Sequence, residues 1–266
     1  MLKNGKTLYS QLTEDDVSKY VILCGDPWRV DKVAKLLDNA QHIAFKREFN
    51  TWTGYYKGVR VTIGSTGIGA PSAIVALEEM YECGAKVVIR MGTGSGISDD
   101  YYGKYLIATK GICTDGTSIL YADRNYPATA DYELVQCLND AVAANGFEYV
   151  NGITMNSDGQ FVYGTKTKFA LERRQRMPNP PSEFERTNRL KAAGAQFGDM
   201  ESAAMLLVGN LMNIKMGSIV FGTVTENLRQ VLFQDDPEMF ERKENGLFRN
   251  ALDAIVLYDQ RHGTDD

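Results

Sequence analysis

Histidine is scarce in this sequence, with only His42 and His262 among its 266 residues. Zinc sites in proteins are built mainly from histidine and cysteine, and the cysteines here form no C-x-x-C pair. A zinc enzyme is therefore disfavoured. A Ser–His–Asp hydrolase would have to use His42, which has no supporting motif beside it. We expect reduced, unpaired thiols at the four widely spaced cysteines Cys24, Cys83, Cys113 and Cys137.

An excess of basic residues is also missing. Lys and Arg together number 29 against 34 Asp and Glu, which gives a net charge of −5. Such a chain is a poor candidate for a non-specific nucleic-acid or membrane-surface binder, so any anion must be bound by a local site. No run reaches the roughly 18 apolar residues of a membrane span, and the N-terminus lacks the apolar core of a signal peptide. We expect a cytoplasmic protein that binds neither nucleic acid nor membrane.

Short β-like runs alternate with helical ones along the whole chain, which is typical of an α/β domain with a parallel or mixed sheet. No repeat or linker interrupts the alternation, so we predict one domain over residues 1–266. Asp131 is the predicted N-cap of one helix, and Gly84 and Gly146 are predicted at helix C-termini. The clearest predicted strands are 20–24, 61–66, 86–91, 106–114 and 218–223, and the clearest helices 72–82, 131–145, 200–212 and 237–260.

The segment 171–187 interrupts this regularity with three prolines, Pro178, Pro180 and Pro181, among many charged residues. It is predicted to be an exposed excursion between a strand and a helix. A solvated surface loop is one interpretation. A lid over the functional site is the other, because long loops in compact domains are often functional.

Two strand ends carry an arginine beside glycine. The strand 20–24 runs into Gly25-Asp26-Pro27-Trp28-Arg29, where a glycine and the following helix N-terminus favour an anion. Alone, this pattern also fits a tight turn with a surface arginine. The strand 86–91 carries Arg90 just before the predicted glycine-rich turn 92–96, which includes Thr93, and a buried arginine needs an anionic partner.

These glycines do not match a nucleotide-binding motif. Gly92, Gly94 and Gly96 fail the G-x-G-x-x-G pattern because position 97 is Ile, and no P-loop sequence occurs. A third glycine-rich turn, 65–72, again joins a strand to a helix. At the start of the predicted helix 200–212, Asp199 and Ser202 fit helix-start electrostatics, and Glu201 is suited to accept hydrogen bonds from vicinal sugar hydroxyls.

Together these motifs resemble the nucleoside phosphorylase-I superfamily, and within it most closely the uridine phosphorylase branch. The resemblance rests on GDPWRV, REF at 47–49, STGIGAPS, IRMGTGSG and DMESA, in family order, and extends from about Thr7 to Asp259. It implies a three-layer α/β/α sandwich around a mixed sheet, assembled as dimers or as a trimer of dimers. It also implies phosphorolysis of a nucleoside to a free base and ribose 1-phosphate, with no organic cofactor.

The resemblance also assigns roles to individual positions. Met200 and Glu201 would hold the ribose, with Glu201 on the 2′- and 3′-hydroxyls. Tyr9 stands where many relatives carry a histidine that reaches the neighbour's ribose, and Asp199 replaces a glutamate. A monovalent-cation site, for potassium, would use Glu48, Ile68 and Ser72. The phosphate site would comprise Gly25, Arg29, Arg90 and Thr93, with Arg47 supplied by the neighbouring subunit.

The base site departs from the uridine branch, which leaves the base open. Phe161 keeps an aromatic wall, but Thr165 and Thr167 stand where the family has Gln and Arg. Lys166 or Lys168 is the candidate replacement donor, although both also fit solvated loop lysines, and Arg229 is a second candidate for the base.

A purine nucleoside phosphorylase is the main alternative, with Glu226 as the acid that protonates the base if burial raises its pKa. A nucleosidase, which uses water, would not need three arginines. A nucleoside-binding protein without turnover is a further alternative.

Overall fold

The structure is a computed structural model that describes residues 4–159, 168–176, 183–225 and 230–263. Within these ranges the strands are β1 Tyr20–Cys24, β2 Asp38–Lys46, β3 Phe49–Tyr56, β4 Val59–Ser65, β5 Val87–Gly96, β6 Tyr105–Ile112, β7 Ala128–Thr129, β8 Tyr149–Asn156, β9 Ala195–Asp199 and β10 Lys215–Val224. The helices are α1 Pro27–Ala34, α2 Ala70–Glu82, α3 Ser118–Tyr121, α4 Tyr132–Ala144, α5 Lys168–Arg176, α6 Glu183–Ala192, α7 Ser202–Leu211, α8 Leu232–Asp235 and α9 Pro237–His262.

The strands form one mixed sheet in the order β10-β6-β8-β9-β5-β1-β4-β3-β2. β10 also pairs with β5, so the sheet curls until its β10 end rejoins its middle. β1 runs parallel to both β4 and β5, whereas β9 meets the end of β5 in the antiparallel sense. As a result, β1 and β4 end beside Met91 of β5, and the carboxyl end of β9 lies beside the last residues of β5.

Helices cover the sheet on two faces. One apolar core lies between the sheet and helices α1, α4 and α9, and a second lies between the sheet and helices α2 and α7. This is the predicted α/β fold, a sandwich of helices on either face of a mixed sheet. The single-domain assignment stays a prediction.

The predicted N-cap residue Asp131 and the predicted C-terminal glycines Gly84 and Gly146 are confirmed. The Asp131 carboxylate accepts a hydrogen bond from the Leu134 N–H at 3.0 Å, which caps α4. Gly84 and Gly146 follow α2 and α4 with φ of 95° and 73°, a conformation that glycine adopts readily. β1 is buried along its whole length, as expected for a central strand covered on both faces.

Three predictions about elements were wrong in detail. The run 92–96 is not a turn, because β5 continues to Gly96 and pairs with β10 and β9. The predicted helix 200–212 begins two residues later, at Ser202, and Glu201 is its N-cap residue. The segment 171–187 is not a simple loop, since α5 and α6 supply helical backbone at 171–176 and 183–187. Its prolines lie outside the described residues, and the lid stays a prediction.

Across the described ranges, no helix combines the length and the apolar character needed to cross a bilayer. All four cysteines are free thiols, and Cys24, Cys83 and Cys137 are buried. Burial raises the pKa of Cys24 to about 12, so this thiol stays protonated at neutral pH.

Candidate active site

Arg90 lies at the centre of the candidate site, on β5, with only 3% of the residue exposed. Its Nη2 donates to the Glu201 carboxylate at 2.5 Å and lies 3.3 Å from an Asp199 carboxylate oxygen. Its Nη1 donates to the Met91 carbonyl at 3.0 Å. Desolvation alone would lower the pKa of Arg90, but the two carboxylates outweigh it and raise that pKa, so the guanidinium is fixed in its charged form.

Glu201 is the other half of this pair and is 4% exposed. Its second carboxylate oxygen accepts a hydrogen bond from the Gly69 N–H at 2.6 Å, in the turn before α2. Gly69 has φ of 97°, which lets this turn aim its N–H at the carboxylate. Burial raises the pKa of Glu201, Arg90 opposes that shift, and the nearby Asp199 charge adds to it.

Asp199 fixes the start of α7 behind this pair. It accepts hydrogen bonds from the Ser202 N–H at 2.8 Å and from the Ser202 hydroxyl at 2.5 Å. Ser202 is in turn 2.8 Å from the Ser218 hydroxyl on β10. The sequence predicted a helix-start role for Asp199 or Ser202, and here the two residues fill that role together.

Glycines bring the backbone close to Arg90. A Cβ at Gly25 would lie 3.3 Å from the Gly67 carbonyl oxygen and 3.9 Å from Arg90 Nη1, so Gly25 adjoins the guanidinium. A Cβ at Gly92 would lie 3.0–3.1 Å from three guanidinium atoms. Thr93 pairs in register with Phe221, whose side chain packs in the core under α9, so regular alternation directs Thr93 to the face opposite Arg90.

Arg29 lies on α1 just after Gly25, and its side chain is largely buried. Asp26 caps that helix by accepting from the Trp28 N–H at 2.9 Å. The Arg29 Nε donates to Glu244 Oε1 at 2.8 Å, and Lys32 Nζ contacts the other Glu244 oxygen at 2.7 Å. The alternative interpretation, a surface arginine on a tight turn, is therefore wrong for Arg29.

Arg47 and Tyr9 lie together on the surface. Arg47 occupies the tight turn between β2 and β3 with φ of 56°, and its guanidinium carbon stands 5.3 Å from the centre of the Tyr9 ring. Such a geometry gives a cation–π contact. Two hydrogen bonds hold the Tyr9 segment in place, because the Glu79 carboxylate accepts from the Tyr9 and Ser10 N–H groups at 2.7 Å each.

Two of the three predicted cation ligands are in contact. The Ser72 hydroxyl donates to a Glu48 carboxylate oxygen at 2.8 Å, and Ile68, on the turn between β4 and α2, is 79% exposed. Among the residues that the structure describes, no group of three or more His, Cys, Asp or Glu side chains is arranged to hold a metal ion.

The remaining predicted residues are only partly described. Met200 is half-buried directly before Glu201, and Lys168 is exposed at the first position of α5. The predicted base-site residues Phe161, Thr165 and Lys166, together with Arg229 and the candidate acid Glu226, lie outside the described residues.

Sequence reasoning missed Glu244 and the Gly69 N–H. Glu244 shares i, i+3, i+4, i+7 spacing with Leu247, Phe248 and Ala251, all buried on α9. A carboxylate on an otherwise apolar helical stripe is the one signal that points to a buried cation partner.

Chemically, the assembled site offers two arginines to an anion and one buried carboxylate to hydroxyl donors.

The model of the phosphorylase superfamily matches residues 19–252. The chain is 36% identical to the uridine phosphorylase of Thermococcus kodakarensis over 209 residues, 77% of this chain and 72% of that protein. It is 37% identical to a guanosine phosphorylase of Halorubrum lacusprofundi over 146 residues, 54% of this chain and 61% of that one. A crystal structure of uridine phosphorylase from Vibrio fischeri superposes with a TM-score of 0.81 at 30% identity, covering 95% of this chain and 98% of that chain.

Proposed function

This chain belongs to the phosphorylase superfamily, and from that membership we propose that it cleaves uridine with inorganic phosphate, releasing uracil and ribose 1-phosphate. The observation that carries the proposal is the buried Arg90–Glu201 pair at 2.5 Å. It joins a fixed cation on β5, suited to phosphate, to a carboxylate at the N-cap of α7, suited to ribose hydroxyls. Phosphate and nucleoside bound to this pair would be in contact with each other.

The phosphate site that we propose comprises Gly25, Arg29, Arg90 and Thr93, with Arg47 from a second subunit. Support comes from the approach of Gly25 to Arg90 and from the guanidinium of Arg29 on the adjoining helix. Thr93 lies three residues beyond Arg90 on β5, towards the carboxyl ends of the strands, where ligands of open α/β sheets bind. Arginine suits this task because its planar fork matches two phosphate oxygens at once.

For the ribose site we propose Glu201 and Met200, with Tyr9 from the second subunit. Glu201 already accepts one strong hydrogen bond from the Gly69 N–H, which holds its carboxylate in place before any sugar binds. An ionised carboxylate has about four acceptor positions, so it can accept from the 2′- and 3′-hydroxyls as well. Hydrogen bonds to the 2′-hydroxyl that strengthen in the transition state lower the barrier to glycosidic cleavage.

The reaction needs no covalent intermediate with the protein. The C1′–N1 bond breaks with its electron pair going to the uracil ring, while positive charge builds on the ribose ring. An oxygen of hydrogen phosphate then bonds to C1′, and the proton that this phosphate carried passes, directly or through water, to the uracil anion. The arginines hold phosphate near C1′ and offset the repulsion between phosphate and the departing anionic base.

The candidate residues for base selection come from the sequence analysis. We propose Phe161 as a wall of the base pocket, with Thr165, Lys166, Lys168 and Arg229 around the uracil oxygens. Uridine is favoured over a purine because the relatives matched over most of the chain carry the name uridine phosphorylase. The partial match to a guanosine phosphorylase supports the purine alternative, in which Glu226 would protonate the base.

We also propose that the working unit is a homodimer, within a homohexamer or alone. The Arg47–Tyr9 pair is exposed, and its neighbours in sequence, Leu8 and Phe45, are exposed apolar residues. Exposed apolar patches rimmed by polar residues are typical of subunit contacts. A potassium ion bound by Glu48, Ser72 and Ile68 at that contact is part of the same proposal, since carboxylate and hydroxyl oxygens suit a hard cation.

Substrate preference is tested by measuring the release of free base from uridine and from inosine, each at several phosphate concentrations. Uracil release that depends on phosphate is the expected result. Hypoxanthine release in preference to uracil would overturn the uridine assignment and direct mutagenesis to Glu226. Binding of nucleosides without release of any base would instead identify a nucleoside-binding protein.

A further inference from the structure

Glu244 is a buried carboxylate that connects the C-terminal helix α9 to the candidate phosphate site. It is 4% exposed and lies 215 residues from Arg29 in sequence. Its two oxygens are used separately, one by Arg29 Nε at 2.8 Å and the other by Lys32 Nζ at 2.7 Å. Both cations come from one face of α1, the helix that begins at the predicted anion site.

The contact through Nε determines how the guanidinium is oriented. Arginine donates along fixed directions, so an acceptor on Nε fixes the rotation of the whole planar group. Arg29 can otherwise choose among many rotamers, and ordering it for phosphate would cost conformational entropy at each binding event. A buried acceptor that is present before phosphate arrives removes most of that cost.

The charge of Glu244 is also secured by its surroundings. Burial on its own would raise the pKa of Glu244, but hydrogen bonds from Lys32 and Arg29 outweigh it and hold that pKa below the ordinary value of 4.5. Glu244 is therefore anionic wherever the enzyme would operate. Lys32, whose side chain is about half exposed, supplies the second positive charge that lets a buried carboxylate sit beside an anion site.

We propose that Glu244 is a positioning residue for phosphate, acting through Arg29. This inference rests on the proposed function, because it takes phosphate as the co-substrate and Arg29 as one of its ligands. Glu244 itself touches neither substrate. Its loss would weaken phosphate binding and leave nucleoside binding nearly unchanged.

The experiment compares KM for phosphate and KM for uridine in Glu244→Met, Glu244→Gln, Arg29→Ala and the double variant Arg29→Ala/Glu244→Met. Methionine keeps the volume of glutamate and removes the acceptor. We expect Glu244→Met to raise the phosphate KM about tenfold and the uridine KM less than about twofold. Glutamine, which still offers an oxygen to Arg29 Nε, should recover most of the loss.

The double variant separates positioning from a merely structural role. If Glu244 acts through Arg29, then adding Glu244→Met to Arg29→Ala changes the phosphate KM no further. Asp253→Asn is the matched control, because Asp253 is another α9 carboxylate paired with a lysine, Lys57, at 2.6 Å. That control should leave both KM values unchanged.

The KM values are meaningful even if a variant folds incompletely, because KM does not depend on the concentration of active enzyme. Equal rises in both KM values, or an unchanged phosphate KM in both Glu244 variants, would overturn the positioning role. Those outcomes leave phosphorolysis by the unaltered protein intact. Absence of phosphate-dependent cleavage in the unaltered protein would instead refute the proposed function.

Discussion

The guanidinium of Arg90 and the carboxylate of Glu201 each have a second task in the proposed reaction. They neutralise each other in the folded protein, and among the described residues the Arg90 Nε has no hydrogen-bond acceptor. A buried ion pair is costly unless further hydrogen bonds support it. Gly69, Asp199 and the Met91 carbonyl supply that support, so the pair is held ready before substrate binds.

Glu201 is the first residue to test, and its negative charge is the property to remove. Glu201→Gln keeps the shape but removes the charge that strengthens hydrogen bonds to the ribose hydroxyls. We expect kcat/KM for uridine to fall about 100-fold, equivalent to about 3 kcal/mol, the upper range for a hydrogen bond to a charged group. The loss for 2′-deoxyuridine should be clearly smaller, because one of the hydroxyls is missing. Equal losses for the two nucleosides would contradict contact between Glu201 and the 2′-hydroxyl.

Glu244 gives a prediction about stability and pH. Its folded-state pKa lies below 4.5, so its ion pairs stabilise the folded protein above about pH 4.5 and are lost as pH falls through the folded value. We expect the melting temperature of Glu244→Gln to be lower than that of the unaltered protein at pH 7. The difference should shrink below pH 4.5. A difference that is constant across this range would argue that Glu244 is not ionised in the fold.

Sequence reasoning found Arg29, Arg90 and Glu201 because each stands next to a strand end or a helix start. It missed Glu244 because the contact with Arg29 spans 215 positions. No sequence motif connects two residues that are so far apart in the chain. The only available signal was an acidic residue on the apolar stripe of a long helix.

At the scale of elements, the most informative difference from prediction is the length of β5, which continues through the glycines of the predicted turn 92–96. Its glycines were expected to form a turn, but they serve close packing within a strand. A Cβ at Gly94 would lie 2.7 Å from the Gly198 carbonyl oxygen, and one at Gly96 would lie 2.4 Å from the Tyr101 Cβ. Glycine therefore permits close approach here, a cause that a single sequence cannot distinguish from turn formation.

The hairpin of β2 and β3, which carries Arg47 and Glu48, was also not predicted as strands. β2 is exposed or half-exposed along its whole length, so it lacks the apolar alternation that identifies a strand. β2 is identified as a strand only by its antiparallel hydrogen bonding to β3. By contrast, β1 has a clear apolar signal and was predicted with the correct bounds.

The close approach of Gly92 to the Arg90 guanidinium yields a prediction for β5. Gly92→Ala would place a methyl group 3.0–3.1 Å from the guanidinium, which must then shift. We expect the phosphate KM to rise about tenfold, with a smaller change in the uridine KM. Gly116→Ala is a suitable control, because its added Cβ would be in ordinary contact, 3.5 Å from Asp158. An unchanged phosphate KM in Gly92→Ala would show that Arg90 does not bind phosphate from this side.

At the scale of the whole molecule, the proposed dimer requires that Arg47 serve the partner's site. Arg47→Ala and Arg90→Ala should each be nearly inactive as pure proteins. Co-expressed together, they should form mixed dimers in which one site has both arginines. Random pairing then restores about a quarter of the normal number of intact sites.

Activity in the co-expressed pair could come only from sites that combine Arg90 of one subunit with Arg47 of the other. Co-expression of Arg90→Ala with Arg29→Ala is the control, since both arginines are assigned to the same subunit and no intact site can form. Failure of the first pair to recover activity, with mixed dimers confirmed by mass, would contradict the shared site.

The claim on which everything else depends is that phosphate, not water, attacks the ribose. The most direct test identifies the sugar product formed from uridine by ³¹P NMR in phosphate buffer, with uracil release measured in parallel. We expect one ribose 1-phosphate for each uracil, and no cleavage once phosphate is removed. Free ribose as the product, or uracil release that continues without phosphate, would contradict this claim and identify a hydrolase on the same fold.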